Sequence, residues 1–198
     1  MKRLKIYSSD LFRALLSCCL LGGLGSGCSQ EQEAHFPSEI PTLQKGPFGL
    51  SYHALVIGIS DYAQRDKNGW TPLPVARHDA EAVANILEQK YHFHVQRLFD
   101  KEATRDAIFF ALQKLQALNY MDAVLIYFSG HGDYNQLLDE GFWIPSDARK
   151  KSDSFQVIGN WIWNTEITRL VQTSGARHIL TLSDACFSGS LINPGSVS

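Results

Sequence analysis

Six apolar residues in a row, Ala123 to Phe128 (AVLIYF), run without a break into Ser129-Gly130-His131-Gly132. A segment this short with no polar position has no solvent face to offer, so it reads as a strand buried on both sides, the kind found in parallel sheets. His53 to Ile59 is a second short apolar run rich in β-branched residues, and His94 to Phe99 and His178 to Leu182 are further strand candidates. Between them lie stretches of helical period. Val75 to Lys90 spaces Ala76, Ala80, Val83 and Leu87 along one face, with Pro74 suited to a first turn. Thr104 can cap a helix striped by Ile108, Leu112 and Leu115, and Ile167, Leu170 and Val171 mark a short helix behind Asn164. Parallel neighbours need helical crossovers, so four strands alternating with three helices predict an α/β fold with a mostly parallel sheet between helical layers.

The fold is expected within residues 51 to 198, and the preceding residues read differently. Lys2, Arg3 and Lys5 precede an apolar stretch from Ala14 to Leu24, too short to span a bilayer as a helix. Residues 1 to 27 are therefore expected to be a signal peptide. Leu24-Gly25-Ser26-Gly27-Cys28 resembles the lipobox of bacterial lipoproteins, although the aliphatic residue stands one place early. That resemblance implies acylation at Cys28 and an exported protein anchored to a membrane on its periplasmic or outer side. Residues 28 to 50 are polar, broken by Pro37, Pro41 and Pro47, and read as a tether. The formal charge is -2 and the leader is basic, so the remainder is more acidic still. Nucleic acid is excluded as an expected partner.

Cysteine usage isolates one side chain. Cys18 and Cys19 lie in the leader and Cys28 at the lipobox, leaving Cys186 without a partner for a disulfide or a thiolate metal cage. A lone thiol is most often a small buried hydrophobe. Its surroundings argue otherwise here. In an open parallel sheet, reactive groups gather past the carboxyl ends of the strands, where His131 follows one strand and Ser183-Asp184-Ala185-Cys186-Phe187-Ser188-Gly189 follows another. If those strands are neighbours, base and nucleophile emerge side by side. Gly130 and Gly132 would let the backbone turn sharply around the histidine, and the N–H groups of Gly132 and Cys186 are candidate oxyanion donors.

F-S-G-H-G and D-A-C-F-S-G, each after an apolar strand, resemble the two signature segments of the caspase-like peptidases, a group that includes caspases, metacaspases and bacterial relatives. Gly141 to Ala148 (GFWIPSDA) resembles the element that follows the histidine, and Leu73 to Ala80 (LPVARHDA) the segment opening the first helix. The resemblance implies a three-layer caspase-like fold and a cysteine endopeptidase with His131 as base and Cys186 as nucleophile. Its metacaspase branch implies an acidic pocket on Asp79, Ser129 and Asp184, hence cleavage after Arg or Lys. Asp79 could instead complement a helix dipole, Asp184 cap a helix and Ser129 shape a turn.

No cofactor or metal is required by such chemistry. Calcium activates some metacaspases, but no ligands for it can be placed by motif. Asp133 could orient His131 or be solvated. His92 and His94 are spaced to share one face of a strand, where a solvated pair is expected over a metal site; Trp143, Trp161 and Trp163 are expected to pack in or around the core. The family's sheet has six strands, two of them beyond the cysteine, whereas this chain stops twelve residues after Cys186. The domain is therefore expected to be incomplete after its fourth strand, with an open apolar edge that a second chain could complete. The competing readings are a non-catalytic binding or decoy module, and an ordinary serine hydrolase, for which no G-x-S-x-G elbow exists.

Overall fold

The computed structural model describes residues 4–8, 50–63, 69–149 and 160–185. The expected lipid site Cys28, the apolar leader from Ala14, the tether up to residue 49 and the nucleophile candidate Cys186 lie outside these residues. The expected strands are present as β2 (Tyr52–Gly58), β3 (His94–Phe99), β4 (Ala123–Ser129) and β8 (His178–Asp184). They form one parallel sheet in the order β8-β4-β2-β3.

Alternation along β2 explains the layers. Ala54 and Val56 face α1 (Ala76–Gln89), where they pack with Ala80, Ala84 and Leu87. Leu55 and Ile57 face the opposite way, into a core with Ile108, Ala111 and Leu112 of α2 (Arg105–Lys114) and Ile167 and Val171 of α3 (Asn164–Gln172). Where both faces are covered, a strand needs no polar position, which is why β2 and β4 are legible as apolar runs, whereas β3 at the sheet edge carries exposed polar residues. The result is a three-layer α/β/α sandwich.

The helix ends follow local chemistry. Thr104 caps α2 as expected, its side chain accepting from the Ala107 N–H at 3.3 Å. Pro74 stands just outside α1, whose N-cap is Val75. Helix α3 begins at Asn164 itself, and the Glu166 carboxylate reaches back to accept the Trp163 N–H at 3.2 Å.

Three features differ from expectation. First, the outer edge of β8 is not open: β1 (Leu4–Ser8), from the segment read as leader, lies parallel to it from Leu4 opposite Ile179 to Ser8 opposite Ser183. An apolar strand edge gains from any chain that supplies ladder hydrogen bonds, and these five residues do so. Second, residues after His131 form a small antiparallel sheet of β5 (Gly132–Asn135), β6 (Glu140–Trp143) and β7 (Ile162–Trp163). Third, His92 and His94 do not share a strand. His92 lies before β3 with φ 55°, and the strand begins at His94, so only the second of the two is a strand residue.

The tryptophans pack as expected, and Trp143 also ties the two sheets together. Its ring stacks on Phe128 at 4.3 Å, 4° from parallel, and its Nε1–H donates to Ser183 Oγ at 3.1 Å. Trp163 meets Phe142 edge-on at 5.2 Å.

Candidate active site

The carboxyl ends of β2, β4 and β8 define a single rim. Ser129 lies opposite both Gly58 and Asp184 in the ladder, and the Gly130 N–H reaches the Asp184 carbonyl at 3.4 Å. The two strands expected to be neighbours are neighbours: His131 follows Ser129 by two positions, and Asp184 is the last residue of β8, two positions before Cys186 in the sequence.

His131 is held at three points. Its N–H lies past the end of β4 and donates to the Tyr62 hydroxyl at 2.8 Å. Its carbonyl accepts the Ile144 N–H at 3.0 Å, which docks the small sheet onto it. Its ring Nε2 lies 2.7 Å from the Thr71 carbonyl. A carbonyl can only accept, so Nε2 carries the ring proton and Nδ1 is left as the basic nitrogen. The ring is half-buried between Tyr62 and Trp70, at centroid distances of 5.0 and 5.2 Å. Trp70 in turn rests edge-on against Trp161 at 5.5 Å, whose indole N–H donates to the Arg149 carbonyl.

Asp133 does not occupy the orienting position on Nε2, which Thr71 fills; its carboxylate accepts the Tyr134 N–H at 2.7 Å. Sequence reasoning missed Thr71 because the group involved is a backbone carbonyl. Tyr62 and Trp70 were missed because they are isolated aromatics in a connecting segment. Gly130 stands at a bend after β4, and it also sits close to its neighbours: a Cβ there would lie 3.0 Å from Tyr62 Oη and 3.1 Å from Phe128 Cζ, so a side chain would have to push these rings by a few tenths of an ångström.

The acidic group is brought together by packing. A Cβ on Gly58 would lie 2.4 Å from Ala80 Cβ and 3.1 Å from Arg77 Cα, so the bare glycine lets the first turn of α1 settle onto the sheet. That turn carries Asp79, half-exposed, toward the rim that holds Ser129 and Asp184. The buried Tyr127 hydroxyl lies within electrostatic reach of all three. Burial pushes its phenol well above the ordinary range, Asp184 and then Asp79 add to the rise, and a hydrogen bond with Ser129 opposes it. Both carboxylates thus act on one buried hydroxyl.

Tyr62 also walls an open cavity of about 740 Å³ on the β3 side, with Arg77, Asp100 and Asp147. Three of its charged groups are engaged in holding loops: Asp100 accepts the N–H groups of Ser60 and Asp61 and pairs with Arg77 at 3.2 Å, and Asp147 accepts the Arg105 N–H. Among the described residues, no group of three or more His, Cys, Asp or Glu side chains could hold a metal ion.

The sequence profile of the caspase domain, Peptidase C14, matches residues 51–197. Among solved structures, the crystal structure of protein GSU0716 from Geobacter sulfurreducens is similar at a TM-score of 0.56 and 26% sequence identity, over 69% of this chain and 50% of that one. This chain spans half the length of that neighbour. No curated protein matches.

Proposed function

Because the chain belongs to the caspase-domain family of peptidases, we propose that it is a cysteine endopeptidase in which Cys186 is the nucleophile, His131 the base, and Arg or Lys the residue preceding the cleaved bond. The observation that carries this reading is the pairing of β4 with β8, Ser129 opposite Asp184, which supports a histidine and a cysteine leaving adjacent strands at one rim.

In the proposed reaction, His131 Nδ1 takes the Cys186 thiol proton while the sulfur bonds to the substrate carbonyl carbon. The N–H groups of Gly132 and Cys186 would face the oxyanion so formed. When the intermediate collapses, the C–N bond breaks and the imidazolium gives its proton to the leaving amine, leaving a thioester. Water then adds to the thioester as His131 removes its proton, and the C–S bond breaks with return of the proton to sulfur. Asp79, Ser129 and Asp184 form the pocket in this reading; two carboxylates favour a guanidinium or ammonium group over an acidic side chain.

The same proposal includes export with a lipid anchor at Cys28 and no required cofactor. A second chain could take the β8 edge wherever residues 4–8 are absent from it.

The test is cleavage of fluorogenic peptides ending in Arg, Lys, Asp or Leu by the wild-type chain and by Cys186→Ala. Turnover of the Arg and Lys peptides alone is expected, falling by a factor of about 10⁴ or more in the variant. Unchanged turnover in Cys186→Ala would rule out the proposed nucleophile, and absence of turnover and of Cys186 labelling by an Arg-directed electrophile would favour the non-catalytic module.

A further inference from the structure

We propose that Tyr62 is a positioning residue that fixes the reactive tautomer of His131, an inference that rests on the peptidase reading for its purpose but not for its geometry. The hydroxyl is the informative atom. Tyr62 is only 1% exposed, and a phenylalanine would fill the same space without burying a polar group. The hydroxyl is nevertheless present, and the neighbouring chain is shaped around it. Gly130, the residue before the histidine, has no side chain where a Cβ would come within 3.0 Å of Tyr62 Oη.

The hydroxyl supplies what the sheet cannot. Strand β4 ends at Ser129, so the His131 N–H falls beyond the ladder, where a buried donor needs another acceptor. Tyr62 Oη provides it at 2.8 Å. Burial pushes the phenol well above its ordinary range, against the effect of the His131 hydrogen bond, and the charge of Asp100 adds to the rise. The group stays neutral and keeps the same hydrogen-bonding character across physiological pH.

This contact governs the ring as well as the backbone. The Tyr62 and Trp70 ring centroids lie 5.0 and 5.2 Å from that of the imidazole, both tilted against it, so the two aromatics restrict its rotation. With the His131 backbone pinned by Tyr62 and Ile144, the ring can place Nε2 against the Thr71 carbonyl and Nδ1 away from it. If the backbone anchor is lost, the imidazole can shift relative to Thr71 and the proton can reside on either nitrogen. Only one of those tautomers has its basic nitrogen free to accept a thiol proton.

The experiment compares full-length wild type with Tyr62→Phe and Leu112→Ala. Imidazole ¹⁵N shifts are recorded above the pH range of histidine titration, with the His131 signals assigned by their loss in His131→Gln. Wild type is expected to show one tautomer, protonated at Nε2; Tyr62→Phe is expected to populate both, with kcat about tenfold lower and KM within about twofold. Leu112→Ala, a core truncation on the buried face of α2, controls for lost stability and should keep the single tautomer. An unchanged tautomer ratio in Tyr62→Phe, or equal mixing in Leu112→Ala, would overturn the proposal. A wild-type chain without peptidase activity would count against the peptidase reading alone, because the ring measurement needs no turnover.

Discussion

The two sides of the rim are secured by different physics. On the base side, His131 is fixed by contacts from residues far away in sequence: a hydroxyl on its N–H, an amide on its carbonyl, a carbonyl on its ring. On the acidic side, Asp79, Ser129 and Asp184 owe their positions to secondary structure itself, through strand register and a helix seated on a bare glycine. In the proposed peptidase the first arrangement would set the direction of a proton, which a small rotation of the ring would spoil, and the second would gather negative charge, which depends less steeply on distance. The base side should therefore be sensitive to loss of single side-chain contacts, the acidic side to changes in backbone spacing.

The largest effect on this contrast should come from Trp143→Ala. The ring is buried, stacked on Phe128 and hydrogen-bonded to Ser183, so its removal leaves a cavity and an orphaned hydroxyl where the two sheets meet. A loss of about 3–5 kcal/mol is expected in urea unfolding. A loss below about 1 kcal/mol would mean that the small sheet does not brace the base side.

Gly58→Ala probes the opposite side. With an added Cβ 2.4 Å from Ala80 Cβ, α1 must move off the sheet. A destabilisation of about 1–3 kcal/mol is expected, together with a reduced preference for Arg over Leu peptides as Asp79 is displaced. An unchanged preference would detach Asp79 from the pocket.

Alkaline unfolding separates the two buried phenols. Tyr62 and Tyr127 both have folded-state pKa values raised by burial. The folded state then holds more protons than the unfolded state above the unfolded value of about 10, so stability is intact below that pH and declines as pH rises beyond it. Each phenol should contribute up to about 1.4 kcal/mol per pH unit to the slope. Tyr62→Phe and Tyr127→Phe should each remove one share, and an unaltered slope in either would show that its phenol is not the titrating group.

The smallest effect belongs to a pair outside the rim. Arg97 and Glu88 lie 2.8 Å apart at the surface, where water screens them. Arg97→Gln should leave the urea midpoint within experimental error, and a clear shift would make this exposed pair as important as the buried contacts.

What could be read from the sequence follows the same division. Strand β4 was expected over Ala123 to Phe128 and spans Ala123–Ser129, and β2 was displaced by one residue, because apolar runs covered on both faces announce themselves. The rim motifs came with those strands. The small sheet did not, since strands such as Gly132–Asn135 (GDYN) and Ile162–Trp163 are too short and mixed to show a period. Thr71 acts through its backbone, which no side-chain pattern reveals. Residues Leu4–Ser8 fall in the segment expected to be a leader, and their pairing with β8 depends on an edge formed by residues at the other end of the chain.

The parallel direction of the main sheet also gives the molecule a useful far side. A seven-residue strand is about 23 Å long, so the connections entering the strands stand well away from the chemistry. The turn at Tyr91 and His92 is one such place, joining α1 to β3 at the rim opposite His131. A fluorophore or surface tether attached there would immobilise or report on the protein without approaching the rim that carries His131.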